Sequence, residues 1–349
     1  MPVSVPSAHE ATARDASDRR PAADSAALLE LAIIVLNYRT PALTAACLDS
    51  LQTEIEPGVQ VIIVDNASGD GSAEYLESHI QERGFGAFAR VVRSPVNGGF
   101  AAGNNLGIRA AAARAYVLLN SDTLVHPGSI GELRRVLAER PDVGLLGPSF
   151  EDGDGTLLES CFDVVHPLGE LARAANTGLV SNLLRRYHKQ SRFSELPSEP
   201  VWMPFACIAF RREILDLVGM LDDGYFMYFE DVDYCLRVRE AGFKLLYWPR
   251  SRIVHLVGKS SNVTAVEAAQ KRAPRYYYEA RTRFYAKHFG LSGLLLANTA
   301  WLLGRSVWQS RQLVQKSRVA TREREARDIW TNTLHPFRMS DNQRTHGPR

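Results

Sequence analysis

The chain is short of cysteine. Cys47, Cys161, Cys207 and Cys235 are scattered, and no two stand at metal-ligand or redox spacing. Reduced thiols in a cytoplasmic protein are expected. An excess of charge of either sign is also missing: 41 Lys and Arg against 39 Asp and Glu leave +2. Nucleic-acid-binding proteins usually carry a strong basic excess, so no nucleic-acid partner is expected. Long hydrophobic runs are absent. The nearest approach, residues 291–308, is interrupted by Asn298, Thr299 and Arg305, short of the roughly 20 apolar residues that a membrane span needs. The first 28 residues are rich in Ala, Ser, Pro and charge. They hold no apolar stretch suited to a signal peptide and read as a disordered tail. The pattern G-x-G-x-x-G is missing too, because Phe100 takes the middle position after Gly98 in NGGFAAGNN. That removes the dinucleotide fingerprint and argues against a dehydrogenase.

What remains is 45% hydrophobic and 23% charged, ordinary for a globular domain. The length suits one large α/β domain with additions. LAIIVLNY, VQVIIVD, ARVVR and YVLLNSD are short apolar runs that read as buried strands, and helical periodicity lies between them. Strands alternating with helices predict a mostly parallel sheet flanked by helices. Ligands of such sheets sit beyond the carboxyl ends of the strands, where Asn37, Asp65, Asn97 and Asp122 fall. Residues 160–200 show no clear periodicity and read as an insertion. WMPFACIAFRREILDLVG predicts a strand and a helix, FKLLYWPRSRIVHLVGKSS two further short strands, and the chain from about Tyr276 a helical, aromatic and basic extension.

Four stretches can carry chemistry. Gly98, Gly99 and Gly103 precede a helix and would let backbone N–H groups approach a phosphate; a plain strand–helix turn explains them as well. Asp65 in VDNASGDGS can accept from a nucleobase imide or a ribose hydroxyl, or can close an Asx-turn. YFEDVDYCLR holds Glu230, Asp231 and Asp233 behind Tyr225, Phe226, Tyr228 and Phe229. Acids at a helix start complement its dipole; partial burial and mutual repulsion would also raise one pKa, as a general base requires. His255 is a lone histidine near a strand end, a structural residue or, with Asp122, part of a divalent-metal site. Oxygen and imidazole suit Mg²⁺ or Mn²⁺ when substrate phosphates complete the ligand set.

In this order VLNYRT, VDNASGDGS, NGGFAAGNN, LLNSDT, FMYFEDVDYCLRVREAGFKLLYWP and HLVGKSS resemble the inverting glycosyltransferases of family 2, with the GT-A fold, and most of all bacterial rhamnosyltransferase-type enzymes. The resemblance covers about residues 30 to 262. It implies a GT-A catalytic domain over 29–275, with a donor half (29–125) and an acceptor half (126–275). Amphipathic, aromatic and basic helices at 276–320 and a polar tail at 321–349 would follow. It implies that Asp65 holds the base or ribose of a dTDP- or UDP-sugar, with Asn37 and Tyr38 beside it. Asn97, Gly98, Gly99, Asn104 and Asn105 would flank the diphosphate and sugar. Asp122 matches the last acid of the family's Asp-x-Asp metal motif, whose first position is here Asn120. His255 would join the metal, Asp231 would be the general base, and Glu230 and Asp233 would support it. The implied acceptor is a glycan or a polyprenyl-diphosphate-linked glycan of the bacterial cell surface, reached from the cytoplasmic face of the inner membrane; a homodimer is left open. Two rivals stand beside this reading. A nucleotidyltransferase would show a Gly-rich basic loop after the first strand, where VLNYRTPALT has one Arg and no glycine. A non-catalytic scaffold on the same fold would have lost the acid at Asp231 or Asp122.

Overall fold

A computed structural model describes residues 28–162, 165–187, 191–192, 195–256, 272–315 and 322–338. The expected N-terminal tail up to residue 27, residues 257–261 of HLVGKSS, and residues 316–321 and 339–349 of the expected C-terminal helices and tail lie outside the described residues.

The first half alternates as its periodicity dictates: β1 (Leu29–Asn37), α1 (Pro41–Ser50), β2 (Val59–Asp65), α2 (Ser72–Glu82), β3 (Ala89–Arg93), α3 (Gly99–Ala110), β4 (Ala113–Asn120), β5 (Thr123–Val125), α4 (Ser129–Glu139) and β6 (Val143–Glu151). Strand β1 shows why its sequence is a continuous apolar run rather than an alternating one. Leu31, Ile33 and Val35 enter the core on one face of the sheet, while Ala32 and Ile34 enter the core on the other. A strand covered on both faces has no wet side to mark with polar residues.

Next come β7 (Cys161–Phe162), α5 (Gly169–Ala175), α6 (Gly178–Leu183), β8 (Ser191–Arg192), β9 (Cys207–Arg211), α7 (Arg212–Val218), α8 (Glu230–Glu240), β10 (Lys244–His255), α9 (Arg275–Gln315) and α10 (Glu325–Asp328). The eight-stranded sheet has the order β3-β2-β1-β4-β9-β6-β10-β5, and β7 pairs with β8 apart from it. The β1–β2, β1–β4, β2–β3 and β6–β10 pairings are parallel, while β9 and β5 join antiparallel. The sheet is thus mixed where β9 and β5 join it.

Residues 160–200 contain helices α5 and α6, whose few residues are too short to print a period. One expectation is corrected. FKLLYWPRSRIVH forms one strand instead of two, with a shift of register between Trp248 and Arg252. Pro249 has no N–H to give the ladder, so the strand bulges there and resumes.

Helix α9 breaks at Gly290, whose φ is 68°. Among the described residues no helix is long and apolar enough to cross a membrane.

Candidate active site

Parallel register sets the edge where Asn37, Asp65 and Asn120 stand. Asn37 lies opposite Asp65, and Leu36 opposite Asn120, so three strand ends finish side by side. Asn37 is fully buried. Its Nδ2 donates to Asp65 Oδ1 at 2.8 Å, and its Oδ1 accepts from Thr44 Oγ1 at 2.8 Å. The Ser68 hydroxyl donates to Asp65 Oδ1 at 2.5 Å and the Ser68 N–H to Asp65 Oδ2 at 3.2 Å. The turn expected from VDNAS therefore forms and aims the carboxylate. Arg39 donates Nε to the Ser68 carbonyl at 3.0 Å, and its guanidinium lies 5.2 Å from the Tyr38 ring centre.

Asn97 organises the glycine turn. Its Oδ1 accepts from Asn66 Nδ2 at 2.9 Å and from the Gly99 N–H at 3.0 Å. Gly99 has φ +83°, and a Cβ there would stand 2.0 Å from the Phe226 carbonyl oxygen. Only glycine fits, because Phe100 N–H donates to that same carbonyl at 2.7 Å. The glycine turn and the aromatic run, 127 residues apart, are thereby one unit. Gly98 caps α3. Asn104 and Asn105 are buried and turned to the backbone: Asn104 Nδ2 donates to Phe100 O at 3.0 Å, and Asn105 bonds Leu221 through both ends of its amide. The Asn120 N–H donates to Ala206 O at 2.9 Å.

At the β5–β10 edge, His255 pairs in register with Thr123. This brings its Nε2 within 3.5 Å of Asp122 Oδ1, with Asp122 1% exposed. A buried carboxylate oxygen facing an imidazole nitrogen fits Mg²⁺ or Mn²⁺ as a partial ligand set that substrate phosphates would complete. Among the described residues no third His, Cys, Asp or Glu joins them.

The acidic helix start has an unusual backbone. Tyr228 and Phe229 have φ of 74° and 67°, two consecutive bulky side chains in left-handed conformation, each costing about 1–3 kcal/mol. Rings from α9 brace them: Tyr228 lies 6.2 Å from Tyr276, and Phe229 5.3 Å from Phe284, centre to centre. Directly after, the three acids take three different environments. The Glu230 side chain is buried, and its Oε2 has no hydrogen-bond partner. Burial first, then the Asp231 and Asp233 charges, push its carboxyl well above the usual range. Asp231 Oδ1 accepts the Val232 N–H at 2.8 Å. Asp233 has no exposed surface; burial raises its pKa, but His288 at 2.8 Å, Arg237 at 2.9 Å and Lys287 at 2.7 Å outweigh this and hold it at about 2. Asp233 is thus joined to α9, and Glu230 is the acid whose carboxyl burial raises.

Asp231 opens onto a cavity of about 350 Å³ whose walls include Trp202, Tyr228, Phe229, Tyr277 and Tyr285. Sequence reasoning missed Trp202, Tyr277 and Tyr285, which converge from separate elements. It also missed Ser68 and Asn66, though both stand inside the quoted VDNASGDGS.

The family model for glycosyl transferase family 2 matches residues 32–236. An N-acetylglucosaminyl-diphospho-decaprenol L-rhamnosyltransferase of Mycobacterium tuberculosis is 27% identical over 64% of this chain and 75% of its own length. A dTDP-rhamnosyl transferase RfbF of Shigella flexneri is 22% identical over 68% of this chain and 74% of its own. Among solved structures, TarS of S. aureus is similar with TM-score 0.51 at 14% identity over 88% of this chain and 48% of that one. GalNAc-T7 with UDP, GalNAc and Mn²⁺ is similar with TM-score 0.50 at 16% identity over 75% and 51%. The chain spans about half the length of these two structures. The fold is GT-A, and the match over more than half its length shows that the chain belongs to glycosyl transferase family 2.

Proposed function

We propose that this glycosyltransferase moves a sugar, L-rhamnose in the first instance, with inversion from a dTDP- or UDP-diphosphate donor. The acceptor would be a hydroxyl of a polyprenyl-diphosphate-linked glycan in cell-surface polysaccharide synthesis. One observation carries this reading: Asp231 sits on a strained, aromatic-braced helix start at the mouth of a cavity large enough for a sugar. The named relatives transfer rhamnose, and one of them acts on a polyprenyl-linked acceptor.

In this reading Asn37 and Ser68 aim Asp65 at the base or ribose. Asn97 and Gly99 shape the turn beside the diphosphate. A divalent cation held by Asp122 and His255 would neutralise the departing diphosphate, usually worth several kcal/mol of barrier. Asn120 removes one carboxylate from that site and so weakens its hold. Asp231 takes the proton of the acceptor hydroxyl as it attacks the anomeric carbon from the face opposite the leaving group. One displacement inverts the centre.

The exposed face of α9 supports work at a membrane surface. From 291 to 314 its exposed positions carry no charge and include Leu291, Leu295, Leu303 and Leu313. Arg305 stacks on Trp308 at 4.2 Å along its border. Apolar faces edged by Arg and Trp favour a lipid interface.

The test is a thermal-shift panel with dTDP-rhamnose, UDP-N-acetylglucosamine, UDP-galactose and GDP-mannose, with and without Mg²⁺ or Mn²⁺. A donor at ~100 times its dissociation constant adds about 2.7 kcal/mol of stability. A metal-dependent shift with dTDP-rhamnose is expected. A shift with GDP-mannose alone would overturn the donor assignment, and no shift with any donor would favour a non-catalytic member.

A further inference from the structure

Between β7 and β8 the chain leaves the body of the molecule and returns to it. His166 and Tyr187 both line the cavity at Asp231, and their ring centres lie 4.6 Å apart. Between these two residues the chain runs out through α5 and α6. Helix α5 is fixed to α9: a Cβ at Gly304 would stand 2.3 Å from the Leu171 carbonyl oxygen, so glycine is what allows the approach. Helix α6 has no such anchor. None of its residues is buried, and Thr177 caps it by accepting the Leu179 N–H at 3.2 Å. Leu179 and Leu183 stand one turn apart on one face and are 85% and 82% exposed. So short a helix is marginal in water on its own, and its apolar side chains add nothing to the core. Such a face suits an apolar partner from outside the chain.

Charge identifies that partner. Residues 171–194 contain Arg and Lys but no Asp or Glu. Arg185 and Arg186, both exposed, follow α6 directly. The Arg186 guanidinium lies 5.0 Å from the Tyr187 ring centre, which places its charge at the cavity mouth. The order along the chain is therefore apolar helix, two cations, cavity wall. An amphiphile with a hydrocarbon tail, a diphosphate and then a sugar has the same order. We propose that α6 with Arg185 and Arg186 is a subsite for the lipid end of the acceptor, the diphosphate on the arginines and the first stretch of hydrocarbon on Leu179 and Leu183. The proposal rests on the transferase reading above and adds to it where the lipid is recognised. Guanidinium groups match phosphate oxygens in charge and in geometry. The diphosphate stays at the rim, because Asp231, the proposed base, disfavours a second anion inside the cavity. The rest of the tail continues along α9: Arg311 donates to the Asn176 carbonyl at 2.9 Å, which sets α6 beside the exposed apolar face of that helix.

The experiment uses the full chain and saturation-transfer NMR in EDTA, which keeps a diphosphate from binding through a metal at Asp122. The probes are geranyl diphosphate and its two halves, geraniol and inorganic pyrophosphate. Geranyl diphosphate is expected to bind wild type at least about tenfold more tightly than either half. Arg185→Ala with Arg186→Ala and, separately, Leu179→Ser with Leu183→Ser should each weaken it about tenfold. Melting temperature and donor thermal shifts should be unchanged in both double variants. Co-sedimentation separates the two sources of a lipid phosphate. Phosphatidylcholine vesicles carrying undecaprenyl diphosphate should bind the chain more tightly than vesicles given equal charge with phosphatidylglycerol, and the arginine substitutions should remove the difference. The proposal is overturned if geranyl diphosphate binds no better than pyrophosphate, if both double variants bind it like wild type, or if the two kinds of vesicle bind equally, which would make α6 a general anionic-lipid contact. A donor shift without geranyl diphosphate binding defeats this inference alone. Failure of the transferase reading shows separately, as absence of any donor shift in a chain that still binds geranyl diphosphate.

Discussion

Asp231 and Glu230 are neighbours with different proposed roles, and isosteric amides separate them. With Asp231 as the proposed base, transfer by Asp231→Asn should fall by about 10²–10⁴. Burial and the adjacent acids raise the Glu230 pKa; Glu230→Gln, an uncharged isostere, should stay within about tenfold of wild type in the same steady-state assay. Equal losses in the two variants would reverse the assignment. Asp233 gives a pH prediction. Its carboxyl falls from 3.8 to about 2 in the folded chain, so the folded state binds that proton less readily than the unfolded one. Its contribution, about 2 kcal/mol, is present above pH 3.8 and is lost as pH falls toward 2. Urea midpoints of Asp233→Asn and wild type should differ at pH 7 and converge near pH 2. Gly99→Ala meets both a positive φ and the Phe226 carbonyl; its unfolding free energy should drop by more than about 1 kcal/mol.

At the scale of elements, α9 serves two surfaces because Gly290 breaks it. Before the break, Tyr277, Phe284 and His288 pack on the α8 region. After it, Leu294, Ala297 and Trp301 turn inward, while Leu295 and Leu303 stay 48% and 56% exposed. The double substitution Leu295→Glu with Leu303→Glu changes only the outer face. It should abolish co-sedimentation with vesicles containing anionic lipid and leave the melting temperature within a few degrees. If wild type instead forms a dimer that these substitutions dissociate, and never binds vesicles, the face is a protein interface. Among the strands, the bulge in β10 lets one element begin at the β6 pairing and still finish with His255 beside Asp122. The sequence predicts two short strands here, and the structure joins them into one across Pro249.

For the whole molecule, the two sides of the candidate site have different architectures. The side proposed for the donor comes from the ends of neighbouring parallel strands. The cavity beside Asp231 is assembled from the 161–202 segment, the α8 start and α9. A chain ending at residue 274 would keep every strand of the sheet yet lose Lys287 and His288, which hold buried Asp233, and the rings bracing Tyr228 and Phe229. Such a chain is expected to be insoluble, or to lose near-ultraviolet circular dichroism and donor binding together. A soluble truncation with a native melting transition would show that α9 is an accessory.

What the sequence determined by itself was local. Apolar runs and helical periods gave β1 to β4 and their helices, because a strand buried on both faces must be apolar throughout. The carboxyl ends of those strands marked Asn37, Asp65 and Asp122, because strand ends in such sheets are where ligands meet polar residues. Tertiary structure alone decided the rest. It decided that Glu230 is buried and that Asp233 is tied to α9, since Lys287 and His288 lie more than 50 positions away in the chain. It built the cavity, since Trp202, Tyr277 and Tyr285 share no period or spacing that a linear reading can detect. It turned Asn105 toward the Leu221 backbone, since a side-chain amide bonds whichever backbone the packing brings to it.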